Sequence, residues 1–254
     1  MIEALKLTSL AFFLVGFIST GFVIQRLPIP QRWQRWGIRK MMPFYGRGCL
    51  WSLGVTVNRV NIDTTPSPKV IVPNHLSYID ILILAACEPG IFVTSLDVGA
   101  VGFLGKMSRA GGCIFVDRQS RAHIKRELAE ARGVLQQGHP LIIFAEGTSG
   151  DGRQVLPLKG ALFKSAIMEQ APVVPVCINY QTVNGGTPIA EHRDSVFWYG
   201  DMEFFPHLKE LLKLRKIRVD LHFLPPVESQ SRNRKELTAL VYNEICERYE
   251  PVVS

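Results

Sequence analysis

Short apolar runs alternate with longer helical stretches from residue 55 to the end of the chain. The short runs are rich in valine, isoleucine and phenylalanine, as strands buried in a sheet usually are, and two of the longer stretches have apolar residues at helical spacings of three and four. This alternation predicts an α/β domain with a mixed, largely parallel sheet flanked by helices. The predicted strands are Val55 to Ile62, Lys69 to Val72, Ile91 to Thr94, Cys113 to Val116, Pro140 to Phe144, Val173 to Ile178 and Val219 to Leu224, and the predicted helices are Tyr78 to Ala86, Ala122 to Gln137, Gly160 to Glu169, His207 to Lys213 and Lys235 to Glu250.

An uninterrupted run of eighteen uncharged residues, Leu7 to Ile24, precedes this domain. As a helix rising about 1.5 Å per residue it would be roughly 27 Å long, which is just enough to cross the hydrocarbon core of a bilayer. A cleaved signal peptide is the alternative, but the run is longer than the usual apolar part of a signal and lacks a small-x-small cleavage site. We therefore expect a retained membrane anchor that either spans the bilayer or enters it from one side.

Arginines alternate with aromatic residues and methionines between Pro30 and Leu53. This mixture suits the headgroup layer of a membrane, because aromatic rings favour the boundary and guanidinium groups bind lipid phosphates. We expect a second, interfacial helix here, with an ordinary amphipathic helix packed on the domain as the alternative. Residues 1–54 are thus predicted to form a membrane anchor with a basic-aromatic interfacial segment, and residues 55–254 a single domain.

The chain has 254 residues, of which 47% are hydrophobic and 20% charged, and its formal net charge is +7. The whole excess lies in residues 1–60, which carry eight basic side chains and one acidic side chain, Glu3. The domain itself is neutral, so it lacks the basic surface with which a nucleic-acid-binding protein follows a phosphate backbone. Because most of the basic residues follow the apolar run, the positive-inside tendency predicts that the domain lies on the cytoplasmic face of a membrane.

Several kinds of site are not predicted. The five cysteines form no CxxC pair and have no histidine nearby at ligand spacing, so we expect neither a disulfide framework nor a metal site. Ala100 to Met107 lacks the hydroxyl residue that completes a P-loop, and Ser149 is followed directly by glycine, unlike the serine of a GxSxG hydrolase motif.

A histidine at a strand end is the leading candidate for chemistry. His75 follows the predicted strand that ends at Val72 and precedes an apolar helix, and Asp80 comes five residues later. An imidazole can take a proton from an alcohol near neutral pH, and a carboxylate about one helical turn away could orient the ring and stabilise its protonated form. The alternative is structural: Ser77 and Asp80 have nearly the spacing of a capping box, so Asp80 could cap the helix while His75 lines a turn.

Three further segments follow apolar strands in a fixed order. Gly112 to Arg118 supplies an arginine, Phe144 to Thr148 supplies a carboxylate, a flexible turn and a hydroxyl, and Val173 to Val176 is an apolar strand that contains a proline. With the Asn74-His75-Leu76-Ser77-Tyr78-Ile79-Asp80 segment they resemble the four blocks of the phospholipid/glycerol acyltransferase family, whose first block is NHxxxxD and whose third is usually FPEGTR. The resemblance covers most of residues 55 to 230.

The resemblance implies a glycerol-phosphate-acyltransferase-like fold and a membrane-bound O-acyltransferase in the inner membrane of a bacterium. His75 would act as general base on the hydroxyl of a lysolipid, Asp80 would orient it, and the hydroxyl would attack the thioester of acyl-CoA or acyl carrier protein. No bound cofactor, metal or covalent acyl-enzyme is expected. The expected partners are therefore the lysolipid, the acyl donor and membrane lipids.

The same resemblance assigns the acceptor's phosphate to the second and third blocks, which correspond here to Arg118, Glu146, Gly147 and Thr148. A guanidinium group pairs well with phosphate, and the turn can offer backbone and hydroxyl donors. A carboxylate does not bind an anion, so we expect Glu146 to orient Arg118 or to position the turn. A merely structural ion pair between Arg118 and Glu146 is the alternative.

The third block departs from the family pattern at two positions. Ala145 stands where proline is usual and Ser149 where arginine is usual, although Arg153 or Lys159 could replace the missing charge. The acceptor expected first is 1-acyl-glycerol-3-phosphate, which would yield phosphatidic acid. The alternative is lyso-ornithine lipid, because the run from Gly147 to Arg153 is more similar to the branch that acylates that lipid.

Two other classes of function are considered. A thioesterase or lipid hydrolase would use His75 and Asp80 to activate water, or Ser77 as a nucleophile. A tethered, non-enzymatic binding module would leave the ordered polar residues at the strand ends unexplained.

Overall fold

Two long helices open the chain, as the sequence predicts. The computed structural model describes residues 2–117 and 123–253, and in it α1 runs over Ile2–Arg26 and α2 over Gln31–Leu53. Gly54 ends α2 with a φ of +76°, in the left-handed region that favours glycine, and its N–H donates to the carbonyl groups of Leu50 and Trp51. This turn leads the chain directly into the first strand.

Strands and helices alternate through the rest of the described chain. They are β1 (Val55–Arg59), β2 (Val70–Pro73), α3 (Ile79–Cys87), β3 (Ile91–Ser95), α4 (Leu96–Ala100), α5 (Gly102–Ala110), β4 (Ile114–Val116), α6 (Ile124–Gln136), β5 (Leu141–Ile143), α7 (Phe163–Met168), β6 (Val173–Val183), β7 (Thr187–Pro188), α8 (Arg193–Val196), α9 (Phe204–Lys213), β8 (Ile217–Phe223) and α10 (Arg234–Arg248).

One mixed sheet joins these strands in the order β1-β8-β6-β2-β5-β3-β4, with β7 paired to β6. The strands β6, β2, β5, β3 and β4 are parallel, whereas β8 is antiparallel to β6 and parallel to β1. Every side chain of β2 and β5 is buried, as expected for parallel strands that are covered on both faces. The predicted α/β fold with a largely parallel sheet is confirmed.

The predicted elements are present with shifted ends. β6 continues beyond Ile178 to Val183, and the helix predicted from Gly160 begins as a 3-10 turn over Gly160–Leu162 before α7. The elements α4, α5, β7 and α8 were not predicted, and α5 lies in the stretch that resembles an incomplete P-loop. The five cysteines are all unpaired.

The first helix lies along the domain and is attached near both of its ends. Near its start, Lys6 Nζ donates to the carbonyl oxygens of Leu53 (3.1 Å) and Leu214 (2.5 Å). Near its end, Gln25 Nε2 donates to the carbonyl oxygens of Arg109 (2.6 Å) and Ala110 (3.0 Å). Over its length α1 packs on α2, α5 and α9.

The outer face of the two N-terminal helices is strongly apolar and largely uncovered. In the described part of the chain, α1 is the one helix long and apolar enough to cross a membrane, and only 11% of its most apolar window is buried. Large exposed side chains on this face include Phe12, Val15, Val23, Trp33, Trp36, Phe44 and Trp51. A contiguous apolar surface of this kind is typical of a membrane-binding region.

Candidate active site

The candidate site lies where the parallel strands β2 and β5 end. His75 comes two residues after β2, and the segment that contains Glu146 follows β5. Asn74 fixes this edge: its Oδ1 accepts from the Ile178 N–H (2.7 Å), and its Nδ2 donates to the Ile178 carbonyl (3.0 Å) of neighbouring β6. The carboxyl ends of parallel strands are where α/β folds bind their ligands.

His75 and Asp80 are in direct contact. His75 Nδ1 lies 2.9 Å from Asp80 Oδ2, and the exposed fraction is 16% for the histidine side chain and zero for the aspartate. The same oxygen accepts the backbone N–H groups of Leu76 (2.7 Å) and Ser77 (2.9 Å). With Nδ1 donating to the carboxylate, Nε2 is the ring nitrogen left to accept a proton.

Tyr180 supplies a fourth donor, which the sequence analysis did not identify. Its hydroxyl group, on the strand β6 next to β2, donates to Asp80 Oδ1 at 2.7 Å, and its side chain is buried. Burial, together with the charge of Asp80, raises the pKa of Tyr180 well above its ordinary value, so the hydroxyl remains a donor. Four donors thus meet the hydrogen-bonding needs of a buried carboxyl group.

Glu146 positions the histidine loop. One carboxylate oxygen accepts the His75 N–H (2.7 Å) and the other accepts the Leu156 N–H (2.8 Å), so the side chain links two loops. Burial raises its pKa from 4.5 to about 8, although the two backbone hydrogen bonds act in the opposite direction. These contacts join the segment after β5 to the His75 loop and to the loop at Leu156. Arg118, its other expected partner, lies outside the described residues.

The turn after Glu146 borders the same site. Gly147 has a φ of +77°, and its N–H donates to the Phe144 carbonyl at 3.1 Å. Thr148 and Ser149 line the cavity described below, and Ser149 Oγ donates to the Trp198 carbonyl oxygen. The serine that replaces the usual arginine therefore ties this turn to the loop after α8.

A cavity of about 360 Å³ extends from His75 toward the N-terminal helices. Its walls are mostly apolar and come from α1, α2, α3, β3 and α5, with the Phe144 ring 4.1 Å from the imidazole. Among the described residues, Asp97 is the one carboxylate that lines the cavity. No lysine or arginine among them lines it. Residues of the apolar part include Leu14, Phe17, Met42, Ile81, Leu82 and Leu104.

Two features bear on the other chemistries considered. Ser77 Oγ is buried and has no hydrogen-bond partner within the described residues, so it is not placed to act as a nucleophile on a bound substrate. Over residues 2–117 and 123–253, no group of three or more histidine, cysteine or acidic side chains is arranged to hold a metal ion.

The chain is similar in sequence to known proteins over most of its length. The sequence model of the Acyltransferase family matches residues 56–179, a span that contains both His75 and Asp80. The chain is 31% identical to a lyso-ornithine lipid O-acyltransferase of Brucella abortus over 82% of its length and 80% of that protein, and 34% identical to one of Rhodobacter capsulatus over 78% and 71%. It is 29% identical to a 1-acyl-sn-glycerol-3-phosphate acyltransferase of Neisseria meningitidis over 70% and 68%.

The fold also matches a solved structure. The crystal structure of the 1-acyl-sn-glycerophosphate (LPA) acyltransferase, PlsC, from Thermotoga maritima superposes with a TM-score of 0.60 at 22% identity, and the match covers both chains completely. Its fold therefore includes counterparts of the N-terminal helices as well as the sheet.

Proposed function

The chain belongs to the Acyltransferase family, and we propose that it moves a fatty acyl chain from a thioester donor to the hydroxyl group of a lysolipid by general-base catalysis. One observation carries the proposal: the His75–Asp80 pair, 2.9 Å apart, borders an apolar cavity. The pair offers a base without an adjacent nucleophile, which suits direct transfer from an activated ester.

In the proposed reaction His75 Nε2 takes the proton from the acceptor's hydroxyl group, whose oxygen attacks the thioester carbonyl carbon. The carbon–sulfur bond then breaks, and the leaving sulfur takes the proton from the imidazolium as the new ester forms. Asp80 holds the ring in the tautomer that accepts at Nε2 and stabilises the imidazolium between the two steps. The apolar cavity would hold an acyl chain.

We favour lyso-ornithine lipid as the acceptor. This lipid carries a carboxylate and an ammonium group in place of phosphate, and Asp97 offers an ammonium group a partner on the cavity wall. The Brucella and Rhodobacter relatives are named for the same acceptor. 1-Acyl-glycerol-3-phosphate, which was expected first from the sequence, is the second candidate because the Neisseria relative is named for it.

An acceptor panel tests this choice. Wild-type protein in phospholipid vesicles is given one acyl thioester and either lyso-ornithine lipid, lysophosphatidic acid or lysophosphatidylcholine, and both diacyl product and free fatty acid are measured. We expect the highest kcat/KM with lyso-ornithine lipid, and we expect Asp97→Asn to weaken use of that acceptor only. A preference for lysophosphatidic acid would support the second candidate, and acceptor-independent release of fatty acid would support a hydrolase.

We also propose that α1 enters the membrane from one side and does not span it. Both ends of the helix hydrogen-bond to the domain, through Lys6 and Gln25. A spanning helix would have to break one of these sets of contacts, because its ends would lie on opposite faces of the bilayer. In the proposed arrangement the exposed aromatic face of α1 and α2 lies in the headgroup and upper acyl region.

A further inference from the structure

A second groove, separate from the catalytic cavity, is lined by basic side chains. It has a volume of about 530 Å³ and lies between the segment 157–161 and the first half of α10. Lys159, Arg234 and Lys235 line it, and no carboxylate does. All three cations are exposed, and within residues 2–117 and 123–253 none of them forms an ion pair.

The walls of this groove are firmly built. The chain at Gly160 lies so close to the Thr238 side chain on α10 that a Cβ at Gly160 would clash with it. On the other side, Tyr242 Oη donates to the Val155 carbonyl oxygen at 3.3 Å. Packing between a loop and a helix of fifteen residues therefore fixes the backbone that carries the three cations.

Lys159 connects the groove to the catalytic turn. Its N–H donates to the Ala145 carbonyl at 2.7 Å, and its ammonium group lies 2.7 Å from the position that a Cβ on Gly147 would take. The next residue, Thr148, lines the catalytic cavity together with His75. An anion in the groove would thus lie beside the turn that borders the reaction site.

The groove lies on elements that do not belong to the membrane-binding region. α10 packs mainly on β6 and α7 and on the 3-10 turn at Gly160–Leu162, whereas α1 and α2 pack mainly on each other and on α3, α5, α9 and β1. A phosphate group on a molecule in the aqueous phase can therefore reach this groove more readily than a phosphate group in the headgroup of a membrane lipid.

We propose that this groove binds the phosphate at the end of the pantetheine arm, the group that CoA and acyl carrier protein donors have in common. The inference rests on the proposed function, because it requires a thioester donor. Lys159, Arg234 and Lys235 would hold the phosphate while the arm delivers the thioester past the Gly147 turn to His75. Lysine and arginine side chains both bind phosphate groups.

The test combines truncated donors with charge removal. Palmitoyl-CoA, palmitoyl-phosphopantetheine and palmitoyl-pantetheine, which lacks phosphate, are compared at a fixed saturating acceptor concentration. For Arg234→Ala/Lys235→Ala we expect kcat/KM to fall about tenfold with the two phosphorylated donors and to stay within about twofold with palmitoyl-pantetheine. The acceptor KM should not change, and the loss should shrink at high salt.

The control is Lys209→Ala/Lys213→Ala, which removes two exposed charges from α9. It should not change kcat/KM with any of the three donors. Equal losses on all three donors, no loss on any, or a raised acceptor KM in place of a donor effect would each overturn the inference. If the wild-type protein used no thioester at all, the proposed function would fail and this inference with it. If the wild-type protein used palmitoyl-pantetheine as well as it uses the two phosphorylated donors, the inference would be overturned while the proposed function would stand.

Discussion

The Asp80 side chain is completely buried, yet four groups donate hydrogen bonds to it. Two are the backbone N–H groups of Leu76 and Ser77, just before α3, and the others are His75 Nδ1 and Tyr180 Oη. The Asp80 side chain therefore holds the backbone that leads into α3 and the imidazole at the same time. A change at Asp80 should affect stability and activity together.

A substitution at Tyr180 separates the effect on activity from the effect on stability more clearly. In Tyr180→Phe the ring still fills its place, and only the donor to Asp80 Oδ1 is lost. A hydrogen bond to a charged group contributes about 1.5–3 kcal/mol, so we expect kcat to fall about tenfold as the carboxylate loses its fixed position. Turnover and melting temperature are measured on the same preparation.

Tyr249→Phe is the matched control. Its hydroxyl group is also buried and donates to the Gly152 carbonyl at 2.7 Å, away from Asp80. We expect both variants to have a lower melting temperature, because each loses one buried hydrogen bond, and we expect Tyr249→Phe to keep wild-type turnover. If the two variants had the same kinetics, Tyr180 would be a structural residue and nothing more.

The contact between His75 and Asp80 could be predicted from the sequence because it spans only five residues at the start of a helix. Tyr180 could not, since it is a hundred residues from Asp80 and reaches it only through the pairing of β2 with β6, in which Pro73 lies opposite Val176. Read in the sequence alone, a tyrosine in an apolar strand resembles any other core residue.

At the scale of elements, Glu146 joins three segments that are distant in sequence. It follows β5, and its carboxylate oxygens bind the backbone at His75 after β2 and at Leu156 in the next loop. The sequence analysis expected Glu146 to orient Arg118 or to position the turn. Among the described residues, its carboxyl oxygens accept from the backbone N–H groups of His75 and Leu156.

The raised pKa of Glu146 has a consequence for stability. The folded protein holds this proton up to a pKa of about 8, whereas the unfolded chain releases it near 4.5. Between these values the folded state binds more protons, so this group's contribution makes stability fall as the pH rises from 5 to 8. We expect the melting temperature of the wild type to fall by several degrees relative to Glu146→Gln over that range, because glutamine does not titrate. Parallel melting profiles for the two proteins would contradict this assignment.

Two of the helices could not be predicted because of their glycine content. The apolar runs predicted all of the central strands, but α4 and α5 contain Gly99 and Gly105, and glycine lowers helix propensity. The structure gives the reason for these glycines: a side chain at Gly105 would clash with the Gly99 carbonyl where the two short helices meet. The glycines that lower the helix propensity of these segments are therefore also the residues that let the two helices pack closely.

At the scale of the whole molecule, the length of α1 alone suggests a span, but its polar contacts indicate a helix that lies on the domain. The hydroxyl groups of Thr20 and Tyr45 are 2.8 Å apart, which adds a contact with α2 to those made by Lys6 and Gln25. Hydrophobicity along a chain measures which residues avoid water, and it does not distinguish a helix across the bilayer from one in its surface.

The positions of the two termini test this arrangement. We expect epitope tags placed before residue 1 and after residue 254 to be digested together by protease in one orientation of sealed membrane vesicles and protected together in the other. Tags on opposite sides would show that α1 spans the membrane. A tag on a loop of the domain, for example at Gly185, which is exposed, provides the reference for the domain side.

The central claim is that His75 removes the proton from the acceptor. The most direct measurement is the rate of acyl transfer from a thioester to lyso-ornithine lipid by His75→Ala and wild type in the same vesicles, with His192→Ala as a control for loss of a histidine outside the cavity. We predict a fall of about 10²- to 10⁴-fold for His75→Ala, with a cooperative melting transition retained and the control near wild type. Turnover of His75→Ala within about threefold of wild type would contradict general-base catalysis by this residue.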